Sequence, residues 1–216
     1  MKRIDQQTLI QALVLGVFIL LPGLSPAQPA TAGVSPGTTT SAEANPKANT
    51  QRESPRYLLM GTHGRAVRSE DFRDRYQLIA FGFVSCPDVC PTTMLEMQQV
   101  LSGLGERAAD LQPIFISIDP QRDTIEVLKA YAANFDKRIL GLTGSADLVR
   151  FAANNFKVQF SRVQEPGSGA NVYTMDHTAG MFLLGPDGQL LKKFSFGTPV
   201  AEIQATIEQW MRMDVK

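Results

Sequence analysis

The sequence predicts an α/β domain with a mixed central sheet flanked by helices, and three observations carry that prediction. Two continuous apolar runs, residues 78–84 (Leu-Ile-Ala-Phe-Gly-Phe-Val) and 112–118 (Gln-Pro-Ile-Phe-Ile-Ser-Ile), have the pattern of strands covered on both faces. Each is followed by a stretch with apolar residues at spacings of three and four, the period of an amphipathic helix. Past residue 157 the period becomes two, around the turn sequence Gly185-Pro186-Asp187-Gly188, which reads as an antiparallel pair.

The elements follow in order. After strand 78–84 a helix starts between Pro87 and Pro91 and turns Met94, Met97, Val100, Leu101 and Leu104 inward. Asp119-Pro120 ends the second strand. Thr124 then starts a helix with Val127, Leu128, Tyr131 and Phe135 on its inner face, and Asp123-Thr124 supplies the residues a helix cap requires. Ser145 opens another helix, with Leu148, Val149, Ala152 and Phe156 inward. Val158, Phe160 and Val163 alternate; residues 181–184 and 190–194 flank the turn; Pro199 opens a closing helix over 201–213. Strand, helix, strand, helix, antiparallel pair and final helix is the order of the thioredoxin fold. No internal repeat is visible.

This domain is expected to occupy residues 57–216. Ahead of it, Lys2 and Arg3 precede an apolar run over 9–21 interrupted only by Gln11, and small residues lead up to Ala27. Residues 1–27 therefore read as a signal peptide or an N-terminal membrane anchor, short against the about 20 apolar residues a spanning helix needs. No cysteine lies near it for lipid attachment. Residues 28–56 are rich in Ala, Thr, Ser, Pro and Gly, carry no aromatic residue, and read as a disordered linker. The body is exported on either reading of residues 1–27.

Composition narrows the chemistry. Of 216 residues, 21 are Lys or Arg and 21 are Asp or Glu, so no basic excess exists to neutralise a phosphate backbone, and nucleic acid is not an expected partner. Two cysteines and two histidines cannot fill two structural zinc sites or build a multi-bridge scaffold.

Both cysteines lie in Ser85-Cys86-Pro87-Asp88-Val89-Cys90-Pro91, directly after the first strand and at the mouth of the helix, where the helix N-terminus favours thiolate. Three readings compete. A structural disulfide closing so short a loop would add only about 2 kcal/mol. A redox dithiol needs nothing further. A soft-metal site needs a third ligand, and only His63 and His177 are available. His63 sits between Gly61-Thr62 and Gly64, a turn setting. His177, in Thr174-Met175-Asp176-His177-Thr178, precedes the 181–184 strand, in the region that faces the cysteine-bearing helix start in a thioredoxin-type sheet. Redox enzymes of that fold keep a cis-proline there, and this chain has no proline between Pro166 and Pro186. That favours metal and leaves the dithiol open. Two thiolates and an imidazole suit Cu(I) and can hold Cu(II), whereas Ca and Mg want oxygen. Met175 is expected to pack rather than ligate, and Asp88 and Asp176 are weaker candidates to orient His177 or screen the thiolates.

The motifs Phe81-Gly82-Phe83-Val84-Ser85-Cys86-Pro87-Asp88-Val89-Cys90-Pro91, Ser117-Ile118-Asp119-Pro120-Gln121-Arg122-Asp123-Thr124, Gly141-Leu142-Thr143-Gly144 and Asp176-His177-Thr178 resemble the Sco/SenC family in order and separation. Val84 stands where the family commonly has Thr. The resemblance implies a thioredoxin-like domain that binds one copper through Cys86, Cys90 and His177, places Asp119 and Asp123 on the family's acidic motif, and implies a metallochaperone for the dinuclear copper site of cytochrome c oxidase. The expected partners are the copper-site subunit and a thioredoxin-like reductant or an upstream copper donor. The expected location is periplasmic, soluble or tethered to the inner membrane through residues 1–27. The alternative is a periplasmic thiol-disulfide reductase, with Cys86 and Cys90 as its redox-active pair, acting on the cysteines of that subunit.

Overall fold

The computed structural model describes residues 53–214 apart from 165, 170 and 171. The signal or anchor segment 1–27 and most of the linker lie outside the described residues. Of the residues assigned to the linker by composition, 53–56 are described, and two of them contact the domain: the Glu53 carbonyl accepts from the Leu190 N–H and its carboxylate pairs with Lys157, and Arg56 pairs with Glu70 at 3.5 Å. No helix among the described residues is long and apolar enough to cross a membrane.

The strands are β1 (Leu58–Gly61), β2 (Ala66–Arg68), β3 (Tyr76–Gly82), β4 (Leu111–Ser117), β5 (Leu140–Thr143), β6 (Phe160–Val163), β7 (Thr174–His177), β8 (Gly180–Leu184) and β9 (Leu190–Ser195). The helices are α1 (Val89–Leu104), α2 (Ile125–Ala133), α3 (Ala146–Asn155) and α4 (Val200–Asp214). Seven strands form one sheet in the order β2-β1-β5-β4-β3-β8-β9, in which the β5–β4 and β4–β3 pairs are parallel and the other four pairs antiparallel. This is the mixed, helix-flanked sheet of a thioredoxin-like fold.

The two apolar runs are its centre. All seven residues of β3 are buried, and β4 beside it is buried except at Gln112. The single polar side chain inside β3, Gln77, is satisfied by the Tyr57 hydroxyl at 2.7 Å and the Ser69 carbonyl at 3.2 Å, as burial demands. Every residue expected on the inner face of α1 is buried, and α1 packs against α4. Thr124 and Ser145 cap α2 and α3 by accepting from Val127 N–H and Leu148 N–H, contacts worth about 1 kcal/mol each.

Three expectations need correction. Val127 is 41% exposed rather than inward, because α2 buries only Leu128 and Ala132. Asp123 does not cap α2; Thr124 does, and Asp123 is turned into the protein. The alternating segment at 160–163 is mostly exposed, since β6 pairs only with β7 in a separate two-stranded ribbon. Strands β1, β2 and β5 carried no sequence signal: they are three or four residues long, and β5 contains Gly141, where a Cβ would come within 2.8 Å of Leu128 and Thr62 side chains.

Topology gathers three connections at one end of the sheet. Because β3 and β4 are parallel, the cysteine loop after β3 and the 118–124 loop after β4 leave together, joined by Ile118 N–H to the Gly82 carbonyl at 2.8 Å. Because β8 runs antiparallel to β3, with Ala80 opposite Met181, the chain enters β8 at that same end, directly after His177.

Candidate functional site

Cys86 lies in the loop after β3 and Cys90 in the first turn of α1; both are free thiols. Cys90 is 2% exposed and Cys86 half-buried, and the Cys90 N–H donates to the Cys86 Sγ at 3.5 Å. His177 ends β7, with its Nε2 3.8 Å from the Cys90 Sγ. Its Nδ1 stands 3.0 Å from the Thr178 carbonyl. A carbonyl can only accept, so Nδ1 carries the proton of the neutral ring and Nε2 presents a lone pair towards Cys90. The ring also meets Phe83 edge-on, with centroids 6.1 Å apart and planes at 83°.

The structure thus brings Cys90 and His177 together, with Cys86 alongside. Among the described residues no three Cys, His, Asp or Glu side chains are already drawn into a complete ion-holding cluster, so the preformed part is the Cys90–His177 edge. Its length is informative. Bonds of the lengths zinc makes to such donors, about 2.3 Å to sulfur and about 2.0 Å to nitrogen, span about 3.5 Å at a tetrahedral angle and about 3.7 Å at a trigonal one. The observed 3.8 Å lies close to both spans, so one ion can bridge this sulfur and nitrogen with little movement of either side chain.

Electrostatics differ from the sequence expectation. Burial pushes the Cys90 thiol well above its ordinary value, with neighbouring Cys86 and Asp123 adding to it, and the Phe83 backbone N–H opposes this without winning. The favourable helix N-terminus is outweighed by desolvation, so Cys90 rests as a thiol. Tyr131, packed on Phe115 at 5.7 Å, carries a buried hydroxyl without a partner among the described residues; burial and then Cys90 and Cys86 raise its pKa.

The other candidates fall away from the centre. His63 sits exposed in the β1–β2 turn, where its Nδ1 accepts from the Arg65 N–H. Met175 packs against the core, and Asp88 and Asp176 are exposed, neither bonded to the imidazole. What sequence reasoning missed is the long-range role of Asp119 and Asp123, which it read locally as a strand end and a helix cap. Asp123, 1% exposed, accepts from the Val84 N–H at 3.1 Å and the Ser117 hydroxyl at 2.6 Å, tying the cysteine loop to the end of β4. Val84 takes part through its backbone, so a threonine there would make the same bond. Asp119, 3% exposed, accepts from the Tyr173 hydroxyl at 2.9 Å and from Arg122.

Glycine at position 82 is what lets Cys90 lie over the end of β3: a Cβ there would stand 2.7 Å from the Cys90 Sγ and 2.8 Å from the Phe115 ring. Gly82→Ala is expected to cost about 1–3 kcal/mol through overpacking. A melting curve reads the loss, and a changed thiol alkylation rate reads the displaced Cys90; unchanged values in both would contradict the contact.

Comparison with known proteins agrees with this architecture. The sequence model of the SCO1/SenC family matches residues 45–212. A SCO2-like protein of Rickettsia felis is 35% identical over 147 residues, covering 68% of this chain and 71% of its own. The mitochondrial SCO1 homolog of Homo sapiens is 39% identical over 170 residues, covering 75% of this chain and 56% of its own. Among solved structures, yeast Sco1 with copper bound superposes with a TM-score of 0.69 at 29% identity, covering 76% of this chain and 91% of that one. Bradyrhizobium japonicum ScoI with copper bound gives 0.66 at 33%, over 72% and 97%. A shared fold, identities of 35% and 39% to curated relatives and a family match over residues 45–212 lead to one conclusion: the chain belongs to the SCO1/SenC family.

Proposed function

We propose that this domain is an exported copper metallochaperone that takes one copper ion, Cu(I) or Cu(II), on Cys86, Cys90 and His177 and delivers it to, or primes, the dinuclear copper site of cytochrome c oxidase. The observation that carries the reading is the Cys90–His177 edge: the imidazole Nε2 3.8 Å from a buried sulfur, beside a second thiol, with Nδ1 turned to the Thr178 carbonyl. Two soft sulfurs and one imidazole are copper donors. The copper-bound structures of yeast and Bradyrhizobium relatives support the same cargo. Copper is held here as freight rather than as a resident group. Loading displaces the thiol protons, Thr178 keeps the imidazole in its ligating tautomer, and half-buried Cys86 is the donor an incoming acceptor thiol can exchange with first. The natural acceptor is the copper-site subunit, in the periplasm, with this chain soluble or tethered by its N-terminal segment.

Anaerobic titration of the reduced protein with Cu(I) against a chromogenic chelator tests this directly. One equivalent per chain is expected for the wild type, and none for the Cys86→Ser/Cys90→Ser double variant. A wild type that takes no copper, or a double variant that takes as much, defeats the proposal.

A second reading has its own observation, the two free thiols side by side. In it, Cys86 as thiolate attacks a disulfide of the copper-site subunit, releasing one substrate thiol and forming a mixed disulfide. Cys90 then loses its proton and displaces the second substrate thiol. The substrate gains two electrons, the chain is left with a Cys86–Cys90 disulfide, and a thioredoxin-like dithiol resets it.

A further inference from the structure

The ribbon that carries His177 is not part of the main sheet. Strands β6 and β7 pair with each other alone, and a lone two-stranded ribbon is marginal in water. The chain runs from His177 into β8 within three residues, and Phe160 and Met175 rest on the core from the ribbon's inner side. The far end of β7, at Tyr173, needs a hold of its own if Nε2 is to stay on Cys90.

We infer that Asp119, Arg122 and Tyr173 form a clamp that holds the His177-bearing ribbon against the cysteine loop, and thereby sets how tightly the site grips copper. Tyr173 is the residue immediately before β7. Its hydroxyl donates to the Asp119 Oδ1 at 2.9 Å, and its carbonyl accepts from the Arg122 Nη1 at 2.9 Å. The Arg122 Nε donates to the other Asp119 oxygen, Oδ2, so both carboxylate oxygens of a nearly inaccessible side chain are committed to this one junction. The Arg122 guanidinium carbon also lies 3.8 Å from the centroid of the Tyr173 ring, and that of Arg162, from β6, lies 3.7 Å from the same centroid. Two cations at such distances cannot share one face, so the ring is sandwiched between an arginine of the 118–124 loop and an arginine of the ribbon itself.

The clamp reaches the site from its other side as well. Arg122 stands 5.9 Å from the ring of Phe83, the same ring on which His177 rests edge-on. Four residues along the chain from Asp119, Asp123 holds the Val84 N–H two residues beyond Gly82. One short loop therefore grips both arms of the site: Asp123 the cysteine arm and Asp119, through Arg122 and Tyr173, the histidine arm. These are positioning residues; none of them touches the ion in the proposed site. Capping accounts for none of these contacts.

The inference rests on the copper reading, and the test separates the two. Arg122→Gln removes the stacked cation and the guanidinium bonds to Asp119 and to the Tyr173 carbonyl, and is expected to weaken Cu(I) affinity about 10- to 100-fold, the range seen when residues that orient a ligand are lost. It should also change the Cu(II) paramagnetic resonance spectrum. Tyr173→Phe keeps the ring between the guanidiniums, loses only the bond to Asp119, and should fall between Arg122→Gln and the wild type. If Arg122→Gln does not fold, Tyr173→Phe carries the test. In the metal-free protein the His177 ring resonances of both variants should broaden as the ribbon loosens, a readout that needs no copper. Affinity, spectrum and ring resonances all matching the wild type would overturn the clamp. Wild-type copper binding by a His177→Ala control would overturn the copper reading instead, with the metal-free resonances still deciding the clamp.

Discussion

His177→Ala is expected to lower copper affinity by at least about 100-fold while leaving the dithiol chemistry of Cys86 and Cys90 in place. The size follows from the role. Loss of a residue that merely orients a metal ligand costs about 10- to 100-fold, and loss of the donor atom itself must cost no less; a hundredfold corresponds to about 2.8 kcal/mol. The fold should survive, because the side chain is only half-buried and its main apolar contact is the edge-on meeting with Phe83, worth about 0.5–1.5 kcal/mol. The variant separates the two functional readings. A metallochaperone fails without Nε2, whereas a thiol-disulfide reductase needs only the sulfurs and turns over as before. Competition with a Cu(I) chelator and the rate of disulfide reduction, measured on the same preparation, read both. Copper retention equal to the wild type would remove His177 from the ligand set.

What sequence could reveal here was set by how far each residue's partners lie along the chain. Strands β3 and β4 announced themselves because both faces are covered, so their middles had to be continuous apolar runs. The caps Thr124 and Ser145 were legible because each bonds an N–H three residues on. Asp123 obeyed no such local rule: standing next to a capping threonine, it looked like part of the cap, yet its partner Val84 is 39 residues away. Asp119 reaches Tyr173 across 54 residues for the same reason. Cys90 shows the limit of a local rule in another way, since the helix N-terminus that favours thiolate says nothing about the burial that opposes it. The meeting of Cys90 with His177, 87 residues apart, was readable only through the fold, because strand order decides which loops share an end of the sheet.

Asp123→Ala should destabilise the domain by about 2–5 kcal/mol, the largest stability effect expected of any single change near the site. The carboxylate is 1% exposed and one oxygen serves two donors, the Val84 N–H and the Ser117 hydroxyl. Alanine would strand both in a buried setting, and each unsatisfied group costs about 1–3 kcal/mol. Asp123→Asn keeps an acceptor oxygen in the same place and should cost far less. The pair also has a pH signature. Burial raises the Asp123 pKa above its ordinary value, with neighbouring Asp119 adding to the rise, so the folded protein holds this proton more tightly than the unfolded chain does. Between the unfolded value of about 3.9 and the raised folded one, the native state binds more protons, and the Asp123 contribution to stability falls as pH rises. Asparagine has no proton to lose there. The wild type should therefore gain stability relative to Asp123→Asn as pH is lowered through that window, and urea midpoints for both proteins from pH 4 to 7 measure the difference. A wild-type curve parallel to that of Asp123→Asn would show that the buried carboxylate carries no such penalty. An Asp123→Ala midpoint equal to the wild type would show that Val84 and the cysteine loop are held by something else.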